Sequence, residues 1–361
     1  MLSADLDPHR VLLVRLSHLG DCARALPLFW GLARRWPDAE LAWAIEPPFA
    51  SLVERLPGLG RVVRFERRGG WRAWPALRRQ LAGFAADLAI DVQGNSKSAA
   101  VTWASRAPRR IGQAPANRRE PGLGRIVLNR TPAPTAARHA SAQVEHLARA
   151  LGCPVPGANE VAGLFTERLD AGRLALDALG STFSEHPLLV QLGAPGDPRS
   201  LPLERIADHL HELLARGHAP IVLAGPGELE SGRMLAAQFA DQPRLAWLIG
   251  SMPLDELAGL FLVAAHRGGQ LIGTDSGPAH LAAAVGLPCV TLHGPYDPQS
   301  TGLWPRPGGE SNHRELLSPA PPACQPCAKR RCAHERGNVC LTTIAPAALA
   351  DALESRSEST D

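Results

Sequence analysis

Short apolar runs alternate with longer stretches of helical spacing over most of the chain. Val11-Leu12-Leu13-Val14 is too short for a buried helix and reads as a buried strand. It is followed by the loop Arg15–Asp21 and by helical spacing over 24–35. Further short runs at 41–45, 61–65 and 88–92 read as strands, with helices predicted over 75–85 and 96–104. The alternation restarts with strands at 187–191, 219–224, 271–274 and 288–292 and helices at 203–216, 229–239 and 279–284. Strand–helix alternation of this kind predicts an α/β fold with mostly parallel sheets covered on both faces.

Two separate blocks predict two doubly wound, Rossmann-like domains. The Gly/Pro-rich Gly152–Gly157 and the helical Ala171–Ala178 put the junction near 155–185. The domains are expected at 1–165 and 166–343, with a C-terminal helix and polar tail over 344–361. Open parallel sheets bind ligands beyond the carboxyl ends of their strands, so two such domains facing each other create a cleft.

The composition changes this picture little. The 361 residues exceed one ordinary core, and 45% hydrophobic with 20% charged residues excludes a disordered or collagen-like chain. A formal charge of +3 argues against nucleic acid as a bulk partner, so an anionic ligand must be met by local basic clusters. No apolar run approaches a membrane span. Asp5, Asp7 and Arg15 break any signal-peptide pattern, so a cytoplasmic protein is expected.

Chemistry concentrates at strand ends. Ser17-His18-Leu19-Gly20-Asp21 links the first strand to the first helix. There Gly20 suits a tight turn, and Asp21 suits either a general base or an N-cap. In Thr274-Asp275-Ser276-Gly277-Pro278-Ala279-His280 a strand gives way to a helix opened by Pro278. Backbone N–H groups at Ser276 and Gly277 would hold a diphosphate without a metal, with Asp275 orienting the turn and His280 reaching the cleft; the bland alternative is capping plus a core histidine. Arg199 reads as a phosphate clamp or an ordinary surface arginine. Glu228 reads as a ribose acceptor or a helix-start carboxylate. Gln93 and Lys97, in the polar segment 91–98, combine with Arg64, Arg67, Arg68, Arg72, Arg118 and Arg119 into a basic group suited to an anionic or polyhydroxylated ligand, unless these are solvated faces. Cys324, Cys327, Cys332 and Cys340 suit a structural zinc or iron; free thiols or disulfides are the alternatives.

Together these segments resemble glycosyltransferase family 9, the bacterial lipopolysaccharide heptosyltransferases of GT-B fold. The likeness runs from Val11 to about Cys340. It rests on Ser17-x-x-Gly20-Asp21 with Leu26-Pro27, on Asp275-Ser276-Gly277-x-x-His280, and on Gly294-Pro295-x-Asp297-Pro298. Arg67–Trp74, Asp91–Ala100 and Arg119-Glu120-Pro121 are similar to acceptor-side segments of heptosyltransferase I, whereas the cysteine cluster is closer to heptosyltransferase II-like and iron-binding members.

The resemblance implies inverting transfer of heptose from ADP-heptose to a Kdo or heptose acceptor of the lipopolysaccharide inner core, at the cytoplasmic face of the inner membrane, with no cofactor needed for transfer. Asp21 would be the base. Arg199, standing where the family carries lysine, would bind the donor with Glu228, Asp275, Ser276, Gly277 and His280. Ser17, His18, Gly20, Arg67, Arg68, Arg72, Gln93, Lys97 and Arg119 would face the acceptor. The alternatives are a family 9 transferase with another acceptor such as a protein, a GT-B nucleotide-sugar epimerase, and a non-catalytic scaffold.

Overall fold

The computed structural model describes residue 2 and residues 6–304 and 313–354; Asp5 and the tail beyond 354 lie outside the described residues. The chain divides into two compact units, Met1–Phe165 and Thr166–Asp361.

The first unit is a five-stranded, wholly parallel sheet of β1 (Arg10–Val14), β2 (Glu40–Ile45), β3 (Leu59–Arg64), β4 (Leu88–Asp91) and β5 (Arg109–Gly112), in the order β3-β2-β1-β4-β5. In-register pairing joins β1 to β2 and to β4. Its helices are α1 (Leu19–Arg35), α2 (Trp74–Phe84), α3 (Ser96–Ala104), α4 (Pro121–Val127), α5 (Ala140–Ala150) and α6 (Ala158–Ala162). The central strands β1 and β4 are buried along nearly their whole length, as a sheet covered on both faces requires. On one face Leu12, Val14 and Ala44 pack with Leu77, Leu81 and Phe84 of α2.

The second unit has six parallel strands, β6 (Leu188–Gln191), β7 (Pro220–Ala224), β8 (Ala246–Ile249), β9 (Gln270–Thr274), β10 (Cys289–His293) and β11 (Arg314–Leu317), in the order β11-β10-β9-β6-β7-β8. Around them lie α7 (Leu169–Asp177), α8 (Ser181–Ser184), α9 (Leu203–Ala215), α10 (Leu229–Gln238), α11 (Leu254–His266), α12 (Gly277–Ala284), α13 (Pro298–Thr301), α14 (Val339–Thr342) and α15 (Pro346–Glu354). The C-terminal α15 closes this unit's core, where Leu349, Ala350 and Leu353 pack with Leu210 and Leu213 of α9.

In each sheet the strand order reverses direction once, between β1 and β4 in the first and between β6 and β9 in the second. Diverging loops open a crevice at such a point, which is where doubly wound sheets place their ligands.

The backbones of α7 and α11 touch at paired glycines. A Cβ on Gly259 would fall on the carbonyl oxygen of Arg168, and one on Gly172 on the carbonyl of Gly259. Gly259→Ala is therefore expected to lower stability by about 1–3 kcal/mol through overpacking, measured as the urea midpoint at unchanged m-value.

Candidate active site

At the first switch point the chain leaves β1 through Arg15-Leu16-Ser17-His18 and enters α1. His18 takes the left-handed backbone conformation there, with φ 65°. Gly20 is not the turn residue: it lies buried within the first turn of α1. Nor does Asp21 cap the helix. His18 holds the N-cap position, no side chain caps it, and Asp21 sits two residues inside α1. The sharp turn thus falls on a histidine, and its side chain remains two-thirds exposed.

The Asp21 carboxylate is gripped by two guanidiniums. Arg15 pairs with Oδ2, and Arg24, one helical turn on, donates to Oδ1 at 3.0 Å. Burial alone would raise the Asp21 pKa, but Arg15 and Arg24, helped by His18 and Arg119, outweigh it and hold the carboxyl below its ordinary value. Asp21 is therefore ionised at neutral pH and, with 22% of its side chain exposed, it remains reachable. Partial burial lowers the His18 pKa against the pull of Asp21, with Arg15, Arg119 and Arg67 adding to the fall, so His18 is neutral at pH 7.

Glu46, at the end of β2, is buried and accepts from Arg67 Nε at 2.9 Å. Burial raises its pKa, while Arg67 and Lys97 oppose the rise. Arg67, Lys97 and Arg119 thus gather around the end of β1, and Arg68 and Arg72 stand exposed on the 3-10 segment Arg67–Ala73. Gln93 has a positioning task, its Oε1 accepting from the Leu16 backbone at 2.7 Å. Ser17 is buried beside it in sequence, at the mouth of the turn. Two of the sequence-predicted arginines are engaged elsewhere. Arg118 is wholly buried against Asp91, and Arg64 pairs with Glu54. The sequence reading missed Arg15, Arg24 and Glu46. The available signal was their charge directly at a strand end or one turn from Asp21.

At the second switch point Ser276 caps α12, its Oγ accepting from Ala279 N and donating to Gln191 Oε1 at 2.9 Å. Gly277 opens the helix. His280 does not reach outward: it is buried, with Nε2 3.0 Å from Asp275 Oδ1. Asp275 Oδ2 accepts from Thr301 Oγ1 at 3.2 Å. The carboxylate therefore ties the start of α12 to α13.

Arg199 lies in the loop after β6. Its Nε and Nη2 fork onto Asp197 at 3.0 and 2.7 Å, and Nη1 donates to the Asp275 carbonyl at 3.2 Å. The hydrogen bonds that Arg199 donates to Asp197 raise the Arg199 pKa against burial, and Arg199 in turn outweighs burial to hold Asp197 below its ordinary value. Glu228 is the residue before α10, with Oε2 accepting from Gly225 N at 2.6 Å. One of its oxygens thus ties its own loop.

The four cysteines line one small cavity of about 20 Å³, together with Lys329 and His334. The donor types suit a soft cation, but the arrangement does not make a ligand set. Cys324 and Cys332 are exposed while Cys340 is buried, and among the described residues no three His, Cys, Asp or Glu side chains are disposed to hold a metal ion. Burial pushes the Cys340 thiol up to about 11, with the other three cysteines adding to the rise. Also among the described residues, no helix is long and apolar enough to cross a membrane.

The family description Glycosyltransferase family 9 (heptosyltransferase) matches residues 74–337. Lipopolysaccharide heptosyltransferase 1 of Pseudomonas aeruginosa PAO1 is 30% identical over 345 residues, covering 90% of this chain and 88% of that protein. The enzyme of the same name from Escherichia coli K12 is 29% identical over 310 residues, 81% of this chain and 90% of its own length. A solved structure, E. coli heptosyltransferase WaaC with ADP, superimposes with a TM-score of 0.72 at 23% identity, covering 96% of this chain and 99% of that one, so the GT-B fold is shared. The chain belongs to glycosyltransferase family 9, the heptosyltransferases.

Proposed function

We propose that the protein transfers heptose from ADP-L-glycero-D-manno-heptose, with inversion, to a Kdo residue of the lipopolysaccharide inner core. The observation that carries this reading is Asp21: an ionised, partly exposed carboxylate at the switch point of the first sheet, in surroundings that are otherwise positive. As the acceptor hydroxyl attacks the anomeric carbon, Asp21 takes its proton. The bond from that carbon to the diphosphate oxygen breaks, and the electron pair leaves on ADP. Arg15 and Arg24 occupy one position on each carboxylate oxygen, and a carboxylate has lone pairs to spare for the proton.

In the second unit the Ser276 and Gly277 amides and the Arg199 guanidinium, held by Asp197 and the Asp275 carbonyl, would meet the charge growing on the diphosphate, with Asp275 and His280 holding the turn. The free oxygen of Glu228 would accept from the ribose. Two relatives named lipopolysaccharide heptosyltransferase 1, and WaaC structures holding ADP and ADP-2-deoxy-2-fluoro heptose, support the donor and the pathway. Ser17, His18, Gly20, Arg67, Arg68, Arg72, Gln93, Lys97 and Arg119 form the acceptor side. The cluster is cationic, which suits the Kdo carboxylate better than a neutral sugar or a protein hydroxyl.

The deciding experiment is a mass-spectrometric assay offering ADP-heptose with Kdo2-lipid A, with heptosyl-Kdo2-lipid A, with a protein acceptor, or with no acceptor. Addition of the mass of one heptosyl unit to Kdo2-lipid A alone is the expected result; transfer to the other acceptors, or change of the donor by itself, overturns it. Arg199→Ala is expected to lower kcat/KM by about 10–100-fold through one lost charge-assisted contact, with Arg199→Lys recovering part of it; unchanged kinetics would remove Arg199 from the donor site.

The finer cofactor reading, a structural zinc or iron on Cys324, Cys327, Cys332 and Cys340, rests on their spacing and shared cavity and enters no step of transfer. Metal content tests it: about one equivalent per chain, lost in Cys327→Ser, would establish the site, and metal-free protein, as the arrangement of the four thiols favours, dismisses it.

A further inference from the structure

Residues 322–341, the stretch that carries the four clustered cysteines, hold two loops of the second unit at once. Asn338 Nδ2 donates to the Ser200 carbonyl at 2.6 Å, in the loop after β6. Gln325 Nε2 donates to the Gly294 carbonyl at 2.9 Å, and the Cys327 and Ala328 amides both donate to the Pro295 carbonyl, at 2.9 and 2.7 Å, in the loop after β10. Pro198 and Pro295, one from each loop, line the same small cavity as Gln325, Asn338 and the cysteines. The approach is close: a Cβ on Gly294 would fall 2.8 Å from Leu341 Cγ.

Each contact lands on backbone next to the donor-side residues. Ser200 follows Arg199, in a turn closed by the Ser200 amide on the Asp197 carbonyl at 2.9 Å. Pro295 precedes Tyr296, whose ring centre lies 6.0 Å from the Arg199 guanidinium carbon. Asp297 then caps α13, accepting from Gln299 N at 2.9 Å, and Thr301 of α13 donates to Asp275 at 3.2 Å. The loop after β6 contains Gly193 and Gly196, both at positive φ, so it has wide conformational freedom to lose. A cation that must meet a diphosphate works best when its loop is already fixed, because the ordering cost is then not taken from binding.

We propose that Asn338 and Gln325 are positioning residues of the donor site, through which residues 322–341 brace the two loops that carry Arg199 and Tyr296. The inference rests on the assignment of Arg199 to the diphosphate. Cys327 contributes through its amide and not its thiol, so Cys327→Ser leaves this contact in place and the metal measurement separate.

The test is calorimetric binding of ADP to the full chain, alongside kcat and KM for both substrates. Asn338→Asp keeps the side-chain shape and sets a carboxylate against the Ser200 carbonyl. It should weaken ADP binding about tenfold and raise the donor KM similarly, with the acceptor KM unchanged. Gln325→Glu is the second variant, expected to act in the same direction, and it carries the test if Asn338→Asp does not fold. In an Arg199→Ala background the effect of Asn338→Asp should shrink to about twofold or less, since the group it positions is gone. Ser318→Ala is the control. It breaks the Ser318–Thr343 hydroxyl bond of 2.7 Å in the same unit without touching either loop, so it should lower the melting temperature and leave ADP affinity at the wild-type value. ADP affinity within about twofold of the wild type in both variants overturns the proposal. So does a full loss that persists without Arg199, or an equal loss in Ser318→Ala, since either would report general loosening. Failure of the wild type to bind ADP overturns the donor assignment and this inference with it, whereas equal binding by wild type and variants overturns this inference alone.

Discussion

Asp21→Asn is expected to lower turnover by about 10²–10⁴-fold, the range for loss of a positioned general base, with ADP affinity unchanged. The affinity is preserved because every residue assigned to the nucleotide lies in the second unit, while Asp21 lies in the first. Asparagine keeps the shape of the side chain and removes the proton acceptor. It also leaves Arg15 and Arg24 facing a neutral amide, so the variant loses stability, and far-UV circular dichroism at the assay temperature must show it folded. The measurement is kcat and KM for both substrates alongside calorimetric ADP binding. A kcat within about threefold of the wild type would assign the proton transfer to another group.

The pH dependence follows from the same ion cluster. The folded-state pKa of Asp21 lies below its ordinary value. Its contribution to stability is therefore complete above the unfolded carboxylate pKa of about 3.9 and is lost as pH falls through the lower folded value. The acidic limb of kcat/KM set by Asp21 falls below the usual carboxylate range for the same reason. Arg24→Gln removes one of the two cations, and the limb moves to higher pH. A limb that stays in place would show that Arg24 does not govern the base.

Which parts of this were legible in the sequence depended on burial. Seven of the eight strands named from apolar runs, at 11–14, 41–45, 88–92, 187–191, 219–224, 271–274 and 288–292, lie inside the sheets, where both faces are covered; the eighth, at 61–65, is the edge strand β3, which Val62-Val63 marked in spite of its exposure. The strands missed, β5, β8 and β11, are all at sheet edges. There Arg109-Arg110-Ile111-Gly112 and Arg314-Glu315-Leu316-Leu317 spend half their length on charged residues, whereas the central strands β1, β2 and β4 carry one each, at an end. Helix α11 was hidden for the opposite reason. Apart from its terminal acids it is apolar and buried along most of its length, so no polar stripe marks a period.

At the site, residue types were legible and partners were not. Asp21 and Asp275 stand out by their place at strand ends. That Asp21 would meet Arg15 across the turn, that Arg199 would be held by Asp197, and that His280 would turn inward to Asp275 are tertiary outcomes. The sharp turn is the plainest case. Sequence favours Gly20, the residue with free φ, but the chain puts its positive φ on His18 and takes Gly20 into the buried first turn of α1.

Asp91→Asn is expected to destabilise the first unit by about 3–5 kcal/mol, the range for breaking a buried ion pair from one side. Asp91 and Arg118 are both fully buried, 2.8 Å apart, and the other Asp91 oxygen accepts from the Gln93 and Gly94 amides at 3.0 Å each. The pair therefore pins the segment that begins Gln93-Gly94. Arg118 has little else to lean on: its Nε and Nη1 have no hydrogen-bond partner among the described residues, and the chain passes so close that a Cβ on Gly124 would strike its guanidinium. An amide at 91 leaves that cation buried without a counter-charge. For a unit of this size the loss corresponds to a melting temperature lower by roughly 6–20 °C. Because Gln93 also holds the Leu16 amide beside the turn that positions Asp21, KM for the acceptor should rise while KM for the donor holds. Removing both charges separates an ion-pair effect from simple overcrowding. Asp91→Asn/Arg118→Met should be less destabilised than Asp91→Asn alone, since the cost lies in the orphaned charge. A single variant within about 1 kcal/mol of the wild type, or a double variant as unstable as the sum of the two singles, would show that the pair does not hold this loop.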